Sequence, residues 1–156
     1  MKHLALLLVA FSASVCLFTS CTKTTTPPDD KHLTKKEILV QKPWQVDELI
    51  HNIGGINTQY IRGGINTTGI DYNLLRFVFK ADGTGSHTDQ FGNTYSLTWK
   101  FLTAAEQDLE LTVNLPTTTT YQWNLVEIAD STLHATVKIK DKSGDILESF
   151  RMTQVK

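Results

Sequence analysis

The chain has 156 residues, 15 Lys and Arg against 16 Asp and Glu, with 40% hydrophobic and 20% charged residues. That composition suits one globular domain and is too apolar for a disordered chain. The near-neutral balance excludes a nucleic-acid surface, which calls for concentrated Lys and Arg.

The averages hide a split. Residues 1–20 carry one charged side chain, Lys2, ahead of a run from Leu4 to Phe18 interrupted only by Ser12 and Ser14. A charged start, an apolar stretch and small residues Thr19 and Ser20 before Cys21 read as an export signal. The apolar run falls short of the roughly 18 to 20 residues needed to cross hydrocarbon, so a permanent transmembrane helix is not expected. Phe18, Thr19, Ser20 and Cys21 resemble a bacterial lipobox, in which a signal peptidase cuts before a cysteine already carrying diacylglycerol. Phe18 departs from the usual Leu but keeps the apolar bulk. The resemblance implies a signal peptide over 1–20, lipid attachment at Cys21 and a protein held at the outer membrane of the cell envelope, periplasmic or surface-facing. An ordinary secretory signal with an incidental cysteine is the alternative. Because Cys16 lies within the segment removed, the mature domain would hold no free thiol and no disulfide. Two or more acyl chains anchor stably where one does not.

Residues 21–32 contain Thr, Lys, Pro27, Pro28, Asp29 and Asp30 with almost nothing apolar, and read as a flexible tether. The domain is expected over 33–156. It opens on a short helix, with Thr34 as N-cap, Glu37 three residues on and Pro43 as stop. From Trp44 onward apolar residues alternate, as in Tyr95, Leu97, Trp99 and Phe101, in Leu109, Leu111 and Val113, in Tyr121, Trp123 and Leu125, and in Leu133, Ala135, Val137 and Ile139. Such one-sided alternation marks antiparallel strands with one wet face. Turns are written at Asp82-Gly83-Thr84-Gly85, at Gly92-Asn93 and at Lys142-Ser143-Gly144-Asp145. Eight strands are expected, near 44–51, 72–80, 85–90, 94–102, 108–114, 120–128, 132–140 and 146–155. With short connections throughout, the fold class is all-β, an eight-stranded antiparallel up-and-down barrel with a short N-terminal helix. An open sandwich is the other architecture the strands allow.

Lys42-Pro43-Trp44, the phrase from Phe77 through Val78, Phe79, Lys80 and Ala81 to Asp82-Gly83-Thr84-Gly85, and the Tyr95–Trp99 strand resemble the lipocalin-like lipoproteins of Gram-negative bacteria, whose function is unassigned. The resemblance covers about 33–155. Classical lipocalins begin strand one with Gly-x-Trp, and Gln41 or Lys42 stands here in place of that Gly, so the kinship implied is architectural. It also implies Trp44 at the closed end of the barrel beneath a cation, for which Arg151 is the candidate, a contact worth about 0.5–2 kcal/mol. A solvated Arg151 is the other reading.

Inward aromatics Phe77, Phe79, Tyr95, Trp99, Phe101, Tyr121 and Trp123 could line a pocket for a small apolar or sugar-like ligand, or could simply fill a small core. Residues 52–71 are the one stretch a meander does not require, with Gly54-Gly55 and Gly63-Gly64 flanking Tyr60, Ile61 and Arg62. They could form a lid or a loop that docks an envelope protein, or a plain extra hairpin. No catalytic residue is expected. Asp130, Ser131 and His134, like Ser86, His87 and Asp89, hold triad letters without the spacing that brings a triad together. The histidines lack ligand spacing, so neither metal nor cofactor is expected. Asp130-Ser131-Thr132 resembles an acceptor for bacterial O-glycosylation at Ser131. The expected molecule is a monomer tethered to a membrane, either a ligand-binding lipoprotein or an interaction lipoprotein with a solid barrel, and not an enzyme.

The anchor has a direct test. Cys21→Ala should abolish incorporation of labelled fatty acid and release the protein from membranes on fractionation; persistent labelling would refute lipidation at this residue.

Overall fold

A computed structural model describes residues 32–141 and 144–156, of which His32–Lys156 is one compact unit. The signal segment, Cys21 and most of the tether lie outside the described residues. Helix α1 (Lys35–Leu39) starts from the expected capping box. The Thr34 side chain accepts from Glu37 N at 3.1 Å, and Glu37 Oε2 accepts from Thr34 N at 2.8 Å. Nine antiparallel strands follow: β1 (Trp44–Ile53), β2 (Ile56–Ile61), β3 (Arg76–Phe79), β4 (Thr84–Thr88), β5 (Thr94–Phe101), β6 (Leu109–Val113), β7 (Thr119–Ala129), β8 (Thr132–Asp141) and β9 (Gly144–Gln154). From β3 each strand pairs with the next in sequence, and β1 pairs with both β3 and β9. Eight strands thus close a barrel with β2 as an additional strand. Closure pairs β9 with β1 along its length, so the last strand of the meander has no bare edge.

The strand count corrects the sequence reading. Gly54 and Gly55 take φ of +57° and +87°, which a two-residue turn between strands of matching twist requires, and the chain folds back on β1 as β2 rather than leaving as a loop. The strand expected over 72–80 contracts to Arg76–Phe79, with Tyr72 and Asn73 in the connection that precedes it.

Strand β1 therefore has three neighbours. It pairs with β9 along its length, with β3 only at Trp44 and Gln45, and with β2 only from Glu48 onward. Between them a bulge at Asp47 shifts the register. Arg62 fills the vacant rungs. Its Nε and Nη2 donate to Val46 O at 3.0 and 2.7 Å, its backbone N donates to Asp47 O at 2.8 Å, and Nη1 reaches Asn73 Oδ1 at 3.1 Å. Nε also lies 3.4 Å from Asp47 Oδ1.

The other end of the barrel is plugged. Trp44 and Leu39 are fully buried, with Trp44 Nε1 donating to Leu39 O at 2.8 Å, and Lys35 Nζ donates to Glu106 O and Val126 O. Arg151 takes no part in this. It lies on the outer face, 3.6 Å from Glu48 Oε2 across the β1–β9 ladder, so it does not cover Trp44. Period two from Phe150 and Met152, both buried, puts it there. The cation near a Trp at this end is Lys36, 5.9 Å from the Trp99 ring. Leu125 is also corrected: a bulge in β7 gives it φ +53° and turns it outward, 71% exposed, while Val126 and Ile128 take the buried face. The Asp82–Gly85 turn is as expected, with Asp82 Oδ1 accepting from Thr84 N and Oγ1. A Cβ on Gly85 would fall 2.0 Å from Val78 O, so only Gly allows β3 and β4 to approach this closely.

Arg62→Ala should lower stability by about 2–3 kcal/mol, since it strips both side-chain donors from Val46 O and the donor from the Asn73 amide oxygen at a discontinuous part of the wall. Arg62→Lys should recover only part of this, because an ammonium cannot reproduce the fork. Thermal or urea unfolding measures both; a loss below about 0.5 kcal/mol for Arg62→Ala would show that the seam closes without it.

Candidate functional site

Alternation along eight closed strands sends one face of each strand into the barrel, and the interior has two halves. Toward the plug it is solid. Phe79 packs edge-on to Trp99 at 5.6 Å and Trp99 to Phe101 at 5.8 Å, while Trp99 Nε1 donates to Lys80 O and Thr84 O. Toward the β1–β2, β4–β5 and β8–β9 turns the side chains stop short of filling the space, leaving a cavity of about 270 Å³ open at that end. Its floor is aromatic: Trp123 meets Phe77 edge-on at 5.2 Å and Phe150 at 4.7 Å. Leu111, Val113, Val137 and Met152 complete the apolar wall.

Of the aromatics singled out in the sequence, Phe77, Tyr121 and Trp123 line this cavity, and Phe79 and Trp99 pack below it. Tyr95 packs on the core without lining the cavity, its hydroxyl 3.4 Å from Asp89 Oδ2. The pocket and core readings each describe half of the barrel. The trio in the 52–71 stretch is built into the wall. Tyr60 is 3% exposed, bonds Asn73 Oδ1 at 3.0 Å and packs edge-on against Tyr72, Ile61 ends β2 with its backbone N donating to Ile65 O, and Arg62 holds the seam.

Sequence reasoning missed the polar lining. His51 Nδ1 lies 3.0 Å from Glu148 Oε1, and His51 Nε2 lies 3.2 Å from the Tyr72 hydroxyl. A proton on Nδ1 would face the carboxylate, and in that tautomer Nε2 would accept from the Tyr72 hydroxyl. Burial raises the pKa of both Tyr72 and Tyr121, and the charge of Glu148 raises them further, so both phenols stay protonated donors. Gln90 and His87 complete the lining. His87 sits 4.7 Å from the Phe77 ring, and its buried Nδ1 has no hydrogen-bond partner among the described residues. Burial lowers its pKa; the Asp89 charge and a backbone bond at Arg76 oppose this without reversing it. Glu148 was legible, in phase with Phe150 and Met152. His51 was not, because the Asp47 bulge moves the inward positions of β1 from even to odd numbers.

Neither set of triad letters converges. Ser86 and His87 are consecutive in β4 and take opposite faces, and Ser131 stands in the turn before His134, which is exposed. No group of three or more His, Cys, Asp or Glu able to hold a metal occurs among the described residues. A second hollow of about 400 Å³ lies on the outside of the plugged end between Lys36, Asp82, Trp99 and Glu106, where the Trp99 indole and the Asp82 carboxylate already hold protein partners. Two large apolar side chains stand exposed at the turns of the cavity's open end, Ile56 at 72% and Phe91 at 76%. Among the described residues no helix is long and apolar enough to cross a membrane. The chain matches no protein-family model and no curated protein.

The lowered folded pKa of His87 makes the fold sensitive to acid. Below about 6.5 the unfolded chain takes a proton that the folded imidazole resists, so stability falls as pH drops through that value. His87→Leu should flatten this loss between pH 7 and pH 5 in thermal unfolding, and should raise stability at pH 5 relative to the parent chain. An equally steep loss in the variant would exclude His87 as its source.

Proposed function

We propose that this protein is a lipid-anchored lipoprotein of the bacterial envelope whose lipocalin-like barrel binds a small, largely apolar ligand. The cavity carries the reading. A barrel that needed its rings only to fill a core would leave no such space, and a hollow without a task forfeits packing contacts that stabilise the fold. Known apolar cavities of about 150 Å³ accept a benzene ring, so one of about 270 Å³ suits a compact molecule of about ten to fourteen non-hydrogen atoms. Convergent polar groups at one end of an apolar wall are the usual form of a small-molecule site. The export signal and the lipobox resemblance at Cys21 support the location. Docking on another envelope protein is the second reading, favoured by the two apolar side chains exposed at the open end, Ile56 and Phe91.

Filling the cavity tests the first reading. Val137 faces it from the middle of β8 and is buried. A titration of 2-naphthol, followed by its own fluorescence and that of Trp123, should give a Kd between about 1 µM and 1 mM for the parent chain. Val137→Phe should weaken it at least about tenfold while leaving the melting temperature near that of the parent. Equal binding by the filled variant would place the probe elsewhere and remove the cavity as the site.

A further inference from the structure

The charge of the cavity wall points to the chemistry of its ligand. The lining includes no Lys and no Arg. Its one carboxylate is Glu148, and its only other titratable groups that could carry charge near neutrality are His51 and His87. Burial keeps His87 neutral. The wall is therefore anionic when His51 is neutral and uncharged when His51 is protonated, and in neither state cationic. A carboxylate or phosphate brought into this space would meet the Glu148 charge with no fixed cation to offset its desolvation. An ammonium would meet the carboxylate and the aromatic rings of Tyr121, Trp123 and Phe77, groups that attract a cation where water is partly excluded. His51 Nδ1 engages Oε1 of Glu148, and among the described residues no hydrogen bond reaches Oε2, so the carboxylate keeps an acceptor for a ligand.

We infer that the barrel selects small apolar amines, with the ammonium head at Glu148 and the apolar body on the Phe77–Trp123–Phe150 floor, and rejects the corresponding acids. The inference rests on the ligand-binding reading and narrows it to one class. Neutral alcohols, whose O–H the Oε2 of Glu148 can also accept, should rank between the two.

Three probes that share one body test it: 3-phenylpropan-1-amine, 3-phenylpropan-1-ol and 3-phenylpropanoate, titrated at neutral pH into the full chain by calorimetry or Trp fluorescence. The amine should bind about tenfold or more tighter than the alcohol, and the acid weakest. In Glu148→Gln the amine-to-alcohol ratio should fall to about one; in Glu148→Lys the acid should become the preferred probe. Acid binding equal to or tighter than amine binding in the parent chain overturns the inference whatever the variants do, so the result does not depend on their folding. An unchanged amine-to-alcohol ratio in a folded Glu148→Gln protein, shown by its melting curve, overturns the role given to Glu148. If none of the three probes binds, the ligand-binding reading fails with it, whereas binding of the alcohol without preference for the amine sinks the selectivity alone.

Discussion

The guanidinium of Arg62 stands where the barrel wall runs out of strand. Two residues of β1 pair with β3, six pair with β2, and the carbonyls of Val46 and Asp47 in between face neither strand. An unpaired buried carbonyl costs about 1–3 kcal/mol, and two side by side would open the wall between the plugged and hollow halves. The planar fork satisfies Val46 O through two donors and the Asn73 amide oxygen through a third, while the Arg62 backbone N donates to Asp47 O. Holding Arg62 there also holds the end of β2, the Tyr60–Tyr72 edge contact and Asn73, so the connection from β2 to β3 lies against the barrel. Tyr72 reaches the cavity, and its hydroxyl reaches His51, because that connection is pinned.

The same bulge that creates the need for Arg62 sets the chemistry of the cavity. By extending one strand by one residue it flips the faces beyond it, so Leu49 and His51 point inward where strict alternation would have placed Glu48 and Ile50. His51 then meets Glu148 from the neighbouring strand. A bulge in β7 does the same at the plugged end, turning Leu125 out and bringing Val126 in, where its carbonyl receives Lys35 from the helix. Each irregularity thus places a polar contact that a regular barrel would not make.

Much of the fold could be read from the residues alone. The capping box at Thr34 and Glu37, the turn at Asp82–Gly85, the inward sets of β5, β6 and β8 and the barrel closure all follow from local chemistry and period two. What escaped is what period two cannot encode. A one-residue bulge leaves no mark in composition, so Leu125 was read on the wrong face and nothing marked His51 as inward. The Gly54-Gly55 turn carried the dipeptide of a hairpin, yet the strand it begins is exposed on the outside at Ile56 and lacks the alternating apolar pattern. The candidate site was half legible for the same reason: Phe77, Tyr121 and Trp123 sit on regular strands, whereas Tyr72 and Gln90 lie outside strands where no periodicity applies.

The helix plug has a geometric corollary. Val155 N donates to Pro43 O at 2.8 Å and Gln154 Nε2 to Ile38 O at 3.0 Å, so the last strand finishes beside the helix that begins the domain. Both ends of the described chain therefore meet at the plugged pole, opposite the open end of the cavity. A reporter domain or solid support fused after Lys156 would therefore be attached beside the helix, at the pole opposite the mouth of the cavity.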